Sequence, residues 1–593
     1  MSAATAAHPA PGRRRIAIRP VQVVGTLLLA LVLFLTVYPL SMLILGSFQS
    51  LGPGRGGDWT FIGYQKAYTD WATLSSWSNS LILATSVTCI STIVAVSFAF
   101  IVARTDVPLR GVVLPVMTLA FVMPQIFFSL AWSMLGNARA GMINQIWRQI
   151  FPGAGPLFDV NSWAGMILVM SLATVAFKFL LLLGAFKGLD LALEEASRIS
   201  GAGRFQTLVR VDLPVLAPTI LGVMMLSFIR GLQATETPLF LGFPAGIYVF
   251  STKMLDYINN YVPARYPEAT ALAVTGVIVM VTLVMLQWKL LGGREFITIT
   301  GKGYKPEIWH LGKLKWAFTA LIVVYLLLAL VLPGIQLFLG SFQKIFGVYS
   351  WSSFTLDNYQ KALDSPVVQR AARNTIQIAI LGGLAGMAIT TAIAYIVTRT
   401  TFFGRRALDL AVWSPWTMPG VVLGIGLLWA YISVPGLKEL YGTPWLMMLG
   451  MIVTIIPVGV RVMSGALSQL SKDLEESARI HGASWFKAFM TVVVKLVMPS
   501  FLYGWLVIGV ILSGELSVPL VLYAPGNEVL SVAIYGLQQN AQQAVAAAVF
   551  AMVLGVAASA LGIARLVQFI AERMKERAEA PEMREIEMQP AAV

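Results

Sequence analysis

Charged residues, cysteines and histidines are all scarce in this 593-residue chain. Charged residues make up 12% of the sequence, about half the share of a typical soluble domain, while hydrophobic residues make up 57%. A single cysteine, Cys89, excludes an internal disulfide framework, and we expect it to be a small core residue within a helix. The composition predicts a membrane protein rather than a secreted disulfide scaffold.

Nucleotide-binding and metal-binding motifs are also missing. The Gly-Lys-Gly run at 301–303 has no preceding glycine at the P-loop spacing and no Ser or Thr after its lysine. The three histidines, His8, His310 and His481, stand far apart and form no Cys/His cluster. We therefore expect no metal site, no bound cofactor and no catalytic residues. If ATP drives this protein, another chain must hydrolyse it.

Long apolar runs dominate the sequence instead. A helix needs about 20 apolar residues to cross the hydrocarbon core of a bilayer. The runs show no sustained alternation of apolar and polar residues, which favours a helical bundle over a lipid-facing barrel. We predict an all-α membrane protein with about twelve transmembrane helices, numbered here as spans one to twelve: 21–46, 80–103, 112–135, 161–186, 213–235, 268–288, 316–340, 374–398, 409–432, 444–467, 496–514 and 541–570.

The net charge of +14 indicates membrane orientation. Most of the 42 Lys and Arg residues fall in the N-terminal arm, the C-terminal tail and alternate loops, so these parts are predicted to be cytoplasmic. Both termini then lie in the cytoplasm, and span one acts as a retained signal anchor. No DNA- or RNA-binding pattern is present, so we expect contacts with membrane lipid and none with nucleic acid.

The chain is an internal duplication, because short segments of its first half recur in order in its second half. An even number of spans per copy keeps both copies in the same orientation, which gives two parallel six-helix repeats. The first half carries extra residues between Met123 and Glu194, which we place in the connection 136–160. The matching segments are Gly46-Ser47-Phe48-Gln49 with Gly340-Ser341-Phe342-Gln343, Tyr64-Gln65-Lys66-Ala67 with Tyr359-Gln360-Lys361-Ala362, Ile101-Val102-Ala103-Arg104-Thr105 with Ile396-Val397-Thr398-Arg399-Thr400, and Met123-Pro124 with Met418-Pro419.

The duplication and the charge pattern together divide the chain into five regions. A cytoplasmic linker separates the two halves, and a cytoplasmic segment lies at each end. The predicted regions are an N-terminal arm 1–20, a first six-span half 21–288, a linker 289–315, a second six-span half 316–570 and a tail 571–593.

A charged segment between spans four and five has a second copy between spans ten and eleven. The first copy runs Glu194-Glu195-Ala196-Ser197-Arg198-Ile199-Ser200-Gly201, and the second runs Glu475-Glu476-Ser477-Ala478-Arg479-Ile480-His481-Gly482. Each glutamate–arginine pair is spaced i,i+4, as on one face of a helix, and each final glycine suits a left-handed helix end. Asp190 and Ser471, just before the two segments, are residue types that favour a helix N-cap.

Each copy is therefore predicted to form a helix–turn–helix elbow that lies on the cytoplasmic face and leads into the next span. An ordinary amphipathic loop helix, exposed to solvent, is the alternative interpretation of one copy. Two copies at equivalent positions favour a pair of docking points for a soluble partner.

The two segments resemble the EAA loop of the integral membrane permeases of type I ATP-binding-cassette importers. That loop reads Glu-Ala-Ala, three residues, Gly, nine residues, then a hydrophobe, any residue, Leu and Pro. The first copy has Ser197 in place of the second Ala, and the second copy departs from the pattern at Ser477 and at Lys495, where the first copy has Pro214. The matching residues are Glu195, Ala196, Gly201, Val211, Leu213 and Pro214 in the first copy, and Glu476, Ala478 and Gly482 in the second.

This resemblance implies a transport subunit and not an enzyme, with type-1 transmembrane domains at about 76–288 and 370–570 in two parallel repeats. Each elbow would be a coupling helix seated on one of two ATPase copies, which bind the ATP. An extracytoplasmic solute-binding protein would meet the outer face of the bacterial inner membrane. The implied coupling residues are Glu194, Glu195, Ala196, Gly201, Glu475, Glu476, Ala478 and Gly482.

The substrate is indicated only by resemblance. Fused permeases of this layout most resemble ferric-iron importers and their relatives for thiamine, phosphonates and similar solutes, and the segments 244–250 and 523–532 look most like the ferric-iron branch. We predict ferric iron, with thiamine, phosphonate, polyamine or another small solute as alternatives. A secondary transporter of the major facilitator kind also has two parallel six-helix repeats. The cytoplasmic loop motif of major facilitator transporters is incomplete at 404–406 and absent at 104–110 in this chain.

Charged side chains at membrane depth are costly and are therefore functional candidates. Arg230, Gln233 and Glu236 lie near the outer end of span five, and Glu515 lies near the outer end of span eleven. We predict a gate or a pathway contact there, against the alternative of a salt bridge near the interface.

Two further polar features have structural interpretations. Lys178, in span four, is expected to extend its amine towards the cytoplasmic surface. The repeated pairs Asn79-Ser80 and Asn374-Thr375 are expected to cap spans two and eight.

Overall fold

A computed structural model of the protein describes residues 20–189, 191–291, 308–556 and 559. Helices account for nearly all of the regular structure within these ranges, and the only β contacts described are three isolated bridges. The all-helical prediction is therefore confirmed. The arm before residue 20, Asp190, most of the linker and the tail lie outside the described residues.

Nine helices of the described part are long and apolar enough to cross a membrane unbroken. They correspond to spans one, two, four to eight, ten and eleven, and most extend beyond the predicted apolar run because a helix continues past the hydrocarbon core. Their bounds are Pro20–Gly46, Trp71–Arg104, Trp163–Lys187, Arg204–Leu232, Tyr266–Leu290, Gly312–Phe342, Pro366–Arg399, Pro444–Ser468 and Trp485–Gly514.

Spans three and nine are broken, which corrects the prediction of continuous helices at 112–135 and 409–432. Arg110–Val122 and Gln125–Leu135 meet at 96°, and Arg405–Thr417 and Gly420–Ser433 meet at 114°. Each break lies at a repeated Met-Pro pair, and the methionine before each proline has extended backbone. Proline lacks the amide hydrogen of a helix interior and pushes the residue before it out of helical conformation.

Span twelve is described only in part. The apolar helix Gln543–Val556 begins it, and its remainder lies outside the described residues. The total of about twelve spans therefore stays a prediction.

Within each half the spans pack on one another, and one span of each half also packs on the other half. Span two packs against span four in the first half, and span eight packs against span ten in the second. Span one instead packs on Gly420–Ser433 of the second half, and helix Leu332–Phe342 of span seven packs on Gln125–Leu135 of the first. The approach is close, since a Cβ on Gly46 would lie 2.5 Å from the Trp429 ring.

The repeated Asn-Ser and Asn-Thr pairs do not cap spans two and eight, which begin earlier, so that expectation was wrong. Both pairs hold the start of another helix instead. Asn79 Nδ2 donates to the Tyr248 carbonyl at 2.8 Å, and the Ser80 hydroxyl accepts from the Phe250 amide at 2.8 Å. They thereby fix the start of helix Phe250–Asn259.

The second half repeats this arrangement at the start of helix Leu530–Gln539. Asn374 Nδ2 donates to the Glu528 carbonyl at 2.9 Å, and the Thr375 hydroxyl accepts from the Leu530 amide at 2.8 Å. The two halves therefore share side-chain contacts as well as helix order.

Lys178 does not extend towards the membrane surface, which corrects that expectation. Its side chain is fully buried, and its amine donates to the Thr88 carbonyl at 3.3 Å and to the Ser91 hydroxyl. The positions in the second half that correspond to Lys178, Thr88 and Ser91 are all glycines. A Cβ on one of them, Gly459, would lie 2.6 Å from the Thr390 hydroxyl. The space that a buried lysine occupies in the first half is therefore closed in the second half by direct contact between helices.

Cys89 is exposed, so its assignment to the core was wrong. Its neighbours Val87, Thr88 and Ser91 face the bundle. Cys89 lies on the opposite side of the same helix, because successive residues of a helix point about 100° apart.

We predict that Asn374→Leu destabilises the protein by about 1–3 kcal/mol, because the buried Glu528 carbonyl loses its amide donor. Thermal unfolding of the purified protein in detergent measures the effect. Gln360→Leu, on an exposed helix face, is the matched control and should leave the transition unchanged. Equal shifts for the two variants would count against the role assigned to Asn374.

Candidate coupling elbows and inter-half cluster

Each predicted elbow is present as two helices joined by a tight turn. The first elbow consists of helix Leu191–Ile199 and helix Arg204–Thr207. The second elbow consists of helix Asp473–Ile480 and helix Trp485–Ala488.

The turn in each elbow is the glycine-terminated helix end that the sequence predicts. Gly201 and Gly482 have left-handed backbone, with φ of 86° and 87°. Each glycine amide donates three residues back, and the following amide donates to the carbonyl five residues back, at 2.9–3.1 Å. These paired bonds form the Schellman motif, which satisfies the last carbonyls of the first helix.

Both elbows continue into a span without a break. Helix Arg204–Thr207 leads through a π-helical turn at Leu208–Asp212 into the rest of span five, so that Arg204–Leu232 is one long helix. In the second half, the π-helical turn Phe489–Val493 occupies the same place before span eleven. A displacement of either elbow therefore displaces a whole span.

The N-terminal ends of the two elbows match the predictions only in part. Asp190 lies outside the described residues. Ser471 is not the N-cap, because the helix starts at Asp473 with Lys472 in the capping position. The Ser471 hydroxyl still accepts from the Asp473 amide at 3.2 Å, so it bonds to the first turn from one residue further out.

One face of each elbow is exposed and combines an acidic with an apolar character. Glu195 and Glu476 are both exposed at equivalent positions, and Ala196 and Ala478 lie beside them. Ile199 and Ile480, which end the first helix of each elbow, are 88% and 84% exposed. Apolar side chains left so open, twice and at equivalent positions, are typical of a docking surface. Phe205 and Phe486 extend this surface onto the second helix of each elbow.

The inner face of the first elbow is anchored by a buried ion pair. Arg104, at the end of span two, contacts Glu194 Oε1 at 3.0 Å, and their side chains are only 3% and 7% exposed. Arg104 also donates to the Leu189 carbonyl at 3.4 Å. The sequence pairing of Glu194 with Arg198 overlooked this partner, which is remote in the chain.

The second elbow is anchored at the same place by different groups. Glu475 accepts from the Tyr395 hydroxyl, and no salt bridge in the described residues joins it to Arg479, which corrects the i,i+4 prediction for this copy. Arg399, the counterpart of Arg104, instead donates to the carbonyls of Leu467 and Leu470. Both arginines thus donate to backbone carbonyls at or just beyond the end of the span that leads into the elbow, which is span four for Arg104 and span ten for Arg399.

The end of the linker contacts the first elbow, which sequence reasoning missed. The Trp309 amide donates to the Arg104 carbonyl at 2.7 Å, and Asp106 accepts from the Leu311 amide and lies 3.1 Å from His310 Nδ1. The Leu311 amide and the His310 ring hold the pKa of Asp106 below its ordinary value. The linker therefore meets the first half where span two and the elbow adjoin.

The four predicted pathway residues are brought together at the end of the bundle away from the elbows. Glu236 accepts from the Ser517 hydroxyl at 3.0 Å, which links the two halves directly. Glu515 accepts from the amides of Ser517 and Val518 at 3.1 and 3.4 Å. We call the set Arg230, Gln233, Glu236, Trp416, Glu515 and Ser517 the inter-half cluster.

The inter-half cluster adjoins the breaks in spans three and nine. Gln233 donates to the Trp416 carbonyl at 3.1 Å, and the Arg230 guanidinium lies 4.8 Å from the centre of the Trp416 ring. Trp416 stands just before the break at Pro419. A Cβ on Gly514 would lie 2.5 Å from Pro124, so the other break also abuts the cluster.

The described residues contain no group of three or more His, Cys, Asp or Glu side chains suited to hold a metal ion.

Comparison with known proteins agrees with this geometry. Residues 375–576 match the family of binding-protein-dependent transport system inner membrane components. A ferric transport system permease protein of Actinobacillus pleuropneumoniae is 28% identical over 440 residues, which cover 72% of this chain and 61% of that protein. A protein of Haemophilus influenzae described as a ferric transport system permease is 28% identical over 441 residues, covering 72% of this chain and 66% of the relative.

A third relative is an ABC transporter permease protein of Sinorhizobium fredii, 26% identical over 437 residues, which cover 71% of this chain and 74% of that protein. The aligned region spans less than two-thirds of the length of the two ferric transport relatives.

The described part of the chain thus combines apolar helices in two repeats with paired elbows that run into spans. Over residues 375–576, and over 71–72% of its length in the three relatives, the chain is similar to permease proteins of binding-protein-dependent and ABC transport systems.

We predict that Glu194→Gln destabilises the first elbow by about 3 kcal/mol, because it leaves the Arg104 guanidinium buried without its carboxylate. Hydrogen exchange over residues 191–207 measures the loss of protection. Glu195→Gln, one residue on and exposed, is the control and should not change exchange. If both variants exchange alike, the ion pair does not anchor the elbow.

Proposed function

We propose that this chain forms the complete translocation pathway of an importer and couples it to two copies of a separate ATPase subunit, which bind and hydrolyse the ATP. The main support is the pair of elbows. Each elbow has the same glycine turn, an exposed face that is both acidic and apolar, and a second helix that continues into a span. One chain supplies both elbows, so one chain suffices for two ATPase copies.

The exposed face of each elbow suits a groove that is apolar at its base and basic at its rim. Ile199 and Phe205 would enter such a groove in one ATPase copy, with Glu195 facing basic groups. Ile480, Phe486 and Glu476 would do the same in the other copy. Closure of the ATPase dimer would then draw the elbows together and move spans five and eleven.

The inter-half cluster is proposed as a gate at the far end of the same two spans. Glu236 and Ser517 connect the halves there, and the cluster lies where span five ends and just after span eleven ends. Movement of the spans would separate these groups and open the pathway. Transient contact with the solute at the same groups is the other role consistent with their position.

The proposed location is the bacterial inner membrane, with both termini and both elbows in the cytoplasm, as the distribution of Lys and Arg predicts. The opposite face would then receive an extracytoplasmic solute-binding protein.

Ferric iron is the proposed solute. Its support is the similarity to two proteins described as ferric transport permeases, together with the segments 244–250 and 523–532. The described residues offer no metal cage. Iron would therefore be a passing substrate, held by the binding protein before entry. Thiamine, phosphonate or polyamine import by the same machinery remains the alternative.

We predict that the double variant Glu195→Lys/Glu476→Lys abolishes uptake of ⁵⁵Fe(III) by cells that express the whole importer. Each lysine would repel the basic groups that the carboxylate is proposed to face. The amount of the chain in the membrane should not change, because both positions are exposed.

Asp357→Lys/Glu439→Lys is the matched control, since it makes the same change of charge at two exposed positions away from the elbows. This control should retain uptake. Uptake at the wild-type rate by the elbow variant would refute the coupling role. Competition of ⁵⁵Fe(III) uptake by excess thiamine, phosphonate or putrescine would instead refute only the assignment of iron.

We predict that Glu236→Ala and Ser517→Ala each raise the ATPase activity of the reconstituted importer without binding protein about fivefold, because each removes the bond between the halves. The double variant should match the single variants, since both remove the same contact. Additive effects of the two substitutions would show that the bond does not hold the halves together.

A further inference from the structure

A cavity of about 260 Å³ lies between the two halves, beyond the inter-half cluster. The first half contributes Ser133, Asn137, Asn161 and Phe240 to its lining, and the second contributes the end of helix Leu530–Gln539 and the turn that follows it. Because span five runs away from its elbow towards residue 232, this cavity lies at the end of the bundle opposite the elbows.

The cavity and the inter-half cluster are adjacent in the structure. Phe240 follows Glu236 by about one helical turn, and its ring lies 5.5 Å from the ring of Tyr535 across the boundary between the halves. In the same helix as Tyr535, the Ser531 hydroxyl donates to the Glu515 carbonyl at 2.6 Å. A solute that leaves the cavity towards the elbows therefore meets the cluster next.

The lining is about half polar and half apolar, and it carries no charge. None of the eleven described lining residues has an ionised side chain. Amides and hydroxyls of Asn137, Asn161, Tyr535, Gln538 and Gln543 supply donors and acceptors of both kinds. This composition differs from that of the neighbouring cluster, where arginine and glutamate dominate.

Gln538 stands out among these groups. Its Nε2 donates to the Ser133 hydroxyl of the other half at 3.3 Å, whereas its Oε1 is buried with no hydrogen-bond partner among the described residues. A buried acceptor without a partner costs about 1–3 kcal/mol, and a ligand donor would recover that cost. Ala541, which also lines the cavity, has φ of 57°, a left-handed conformation that alanine rarely adopts. The turn that shapes the cavity is thus held in an unfavourable conformation, as is common at binding sites.

The absence of charge in this lining limits what the cavity can accept. A bare multivalent cation that enters without anionic partners loses hydration and gains no compensation, and a bare anion meets no lysine or arginine. A species of low net charge with several hydrogen-bonding groups suffers neither penalty.

We propose that this cavity is the first solute site on the permease, and that it selects a solute of low net charge rich in hydrogen-bonding groups. The proposal rests on the import function proposed above. For iron it means that Fe(III) enters with its charge already compensated by anionic oxygen ligands, and that the carboxylates of the cluster act only after this step.

Substitutions of opposite charge at one position test the proposal. Gln538→Glu and Gln538→Lys should each raise the KM for uptake of ⁵⁵Fe(III) delivered by the loaded binding protein about tenfold, because either charge must be desolvated in the cavity and meets no opposite charge on a solute of low net charge. Asn161→Asp and Asn161→Lys repeat the test on a loop, in case the Gln538 variants fold poorly. Gln149→Glu and Gln149→Lys, exposed and outside the cavity, are the controls and should leave KM unchanged.

Three results would overturn the proposal in different ways. Opposite shifts in KM for Glu and Lys would show that the cavity admits a net charge, with the sign given by the favoured variant. Unchanged KM for all four cavity variants, with normal amounts in the membrane, would show that the solute does not pass this way. Lower kcat at constant KM would assign the residues to the conformational change instead.

A second measurement does not depend on which solute is imported. Gln543→Cys in a Cys89→Ser background places one thiol in the cavity of the assembled importer. A neutral methanethiosulfonate should modify it at least about fivefold faster than cationic or anionic reagents of similar size, after normalisation to their rates with a free thiol. Equal normalised rates would contradict the charge selectivity. If the wild type fails to import iron but this selectivity is found, the choice of solute is wrong and the site remains.

Discussion

Everything proposed for this protein depends on the continuity of one helix in each half. Arg204–Leu232 and Trp485–Gly514 begin in an elbow and end at the inter-half cluster, so a single backbone joins the surface proposed to meet the ATPase to the contact between the halves. A helix of this length extends roughly 40 Å, because it rises 1.5 Å per residue. The hydrogen-bonded backbone does not stretch, and displacement at one end must appear as translation or tilt at the other. These two helices, here called levers, share two local irregularities: a π-helical turn near the start and an internal proline, Pro218 in the first and Pro499 in the second.

The inner anchors decide how such a lever can move. Arg104 ties the first elbow to span two through a buried carboxylate, whereas Tyr395 ties the second elbow through a hydroxyl. A buried ion pair is costly to separate, since each charge would remain in a medium that solvates it poorly. The first elbow is therefore expected to move as a body with span two. The second elbow is held by a neutral donor, so the two levers of this duplicated chain are not mechanically identical.

Much of this arrangement can be predicted from sequence because it follows from local rules. The length of each apolar run locates the spans. Gly201 and Gly482 mark the helix ends, because glycine adopts left-handed backbone without the steric cost that other residues have. Contacts between distant segments cannot be predicted in this way. The sequence suggested Arg198, on the same helix, as a partner of Glu194, but it gave no sign of the ion pair with Arg104 from another span.

Lys178 shows the same limit. A lysine in an apolar run is expected to extend its amine to the membrane surface. Here, two polar groups of span two accept hydrogen bonds from the amine inside the bundle. The breaks in spans three and nine were partly predictable, because the repeated Met-Pro pairs were visible in the sequence. Their flanking apolar runs were long enough to be interpreted as continuous helices.

The breaks gain their meaning from where they lie. Backbone that leaves helical geometry at membrane depth must be enclosed by protein, because lipid offers no hydrogen bonds. Both Met-Pro breaks are enclosed beside the lever ends, one against Gly514 and the other beside Trp416 and Ser517. Spans one and seven meanwhile cross onto the opposite half, which keeps the halves from separating as whole bodies. Motion at the far end of each lever must therefore be taken up between the halves, and the two bent spans are the elements there that already lack a continuous hydrogen-bond ladder. If the pathway opens by a change of angle at Pro124 and Pro419, no further helix has to break, because spans three and nine are already broken there.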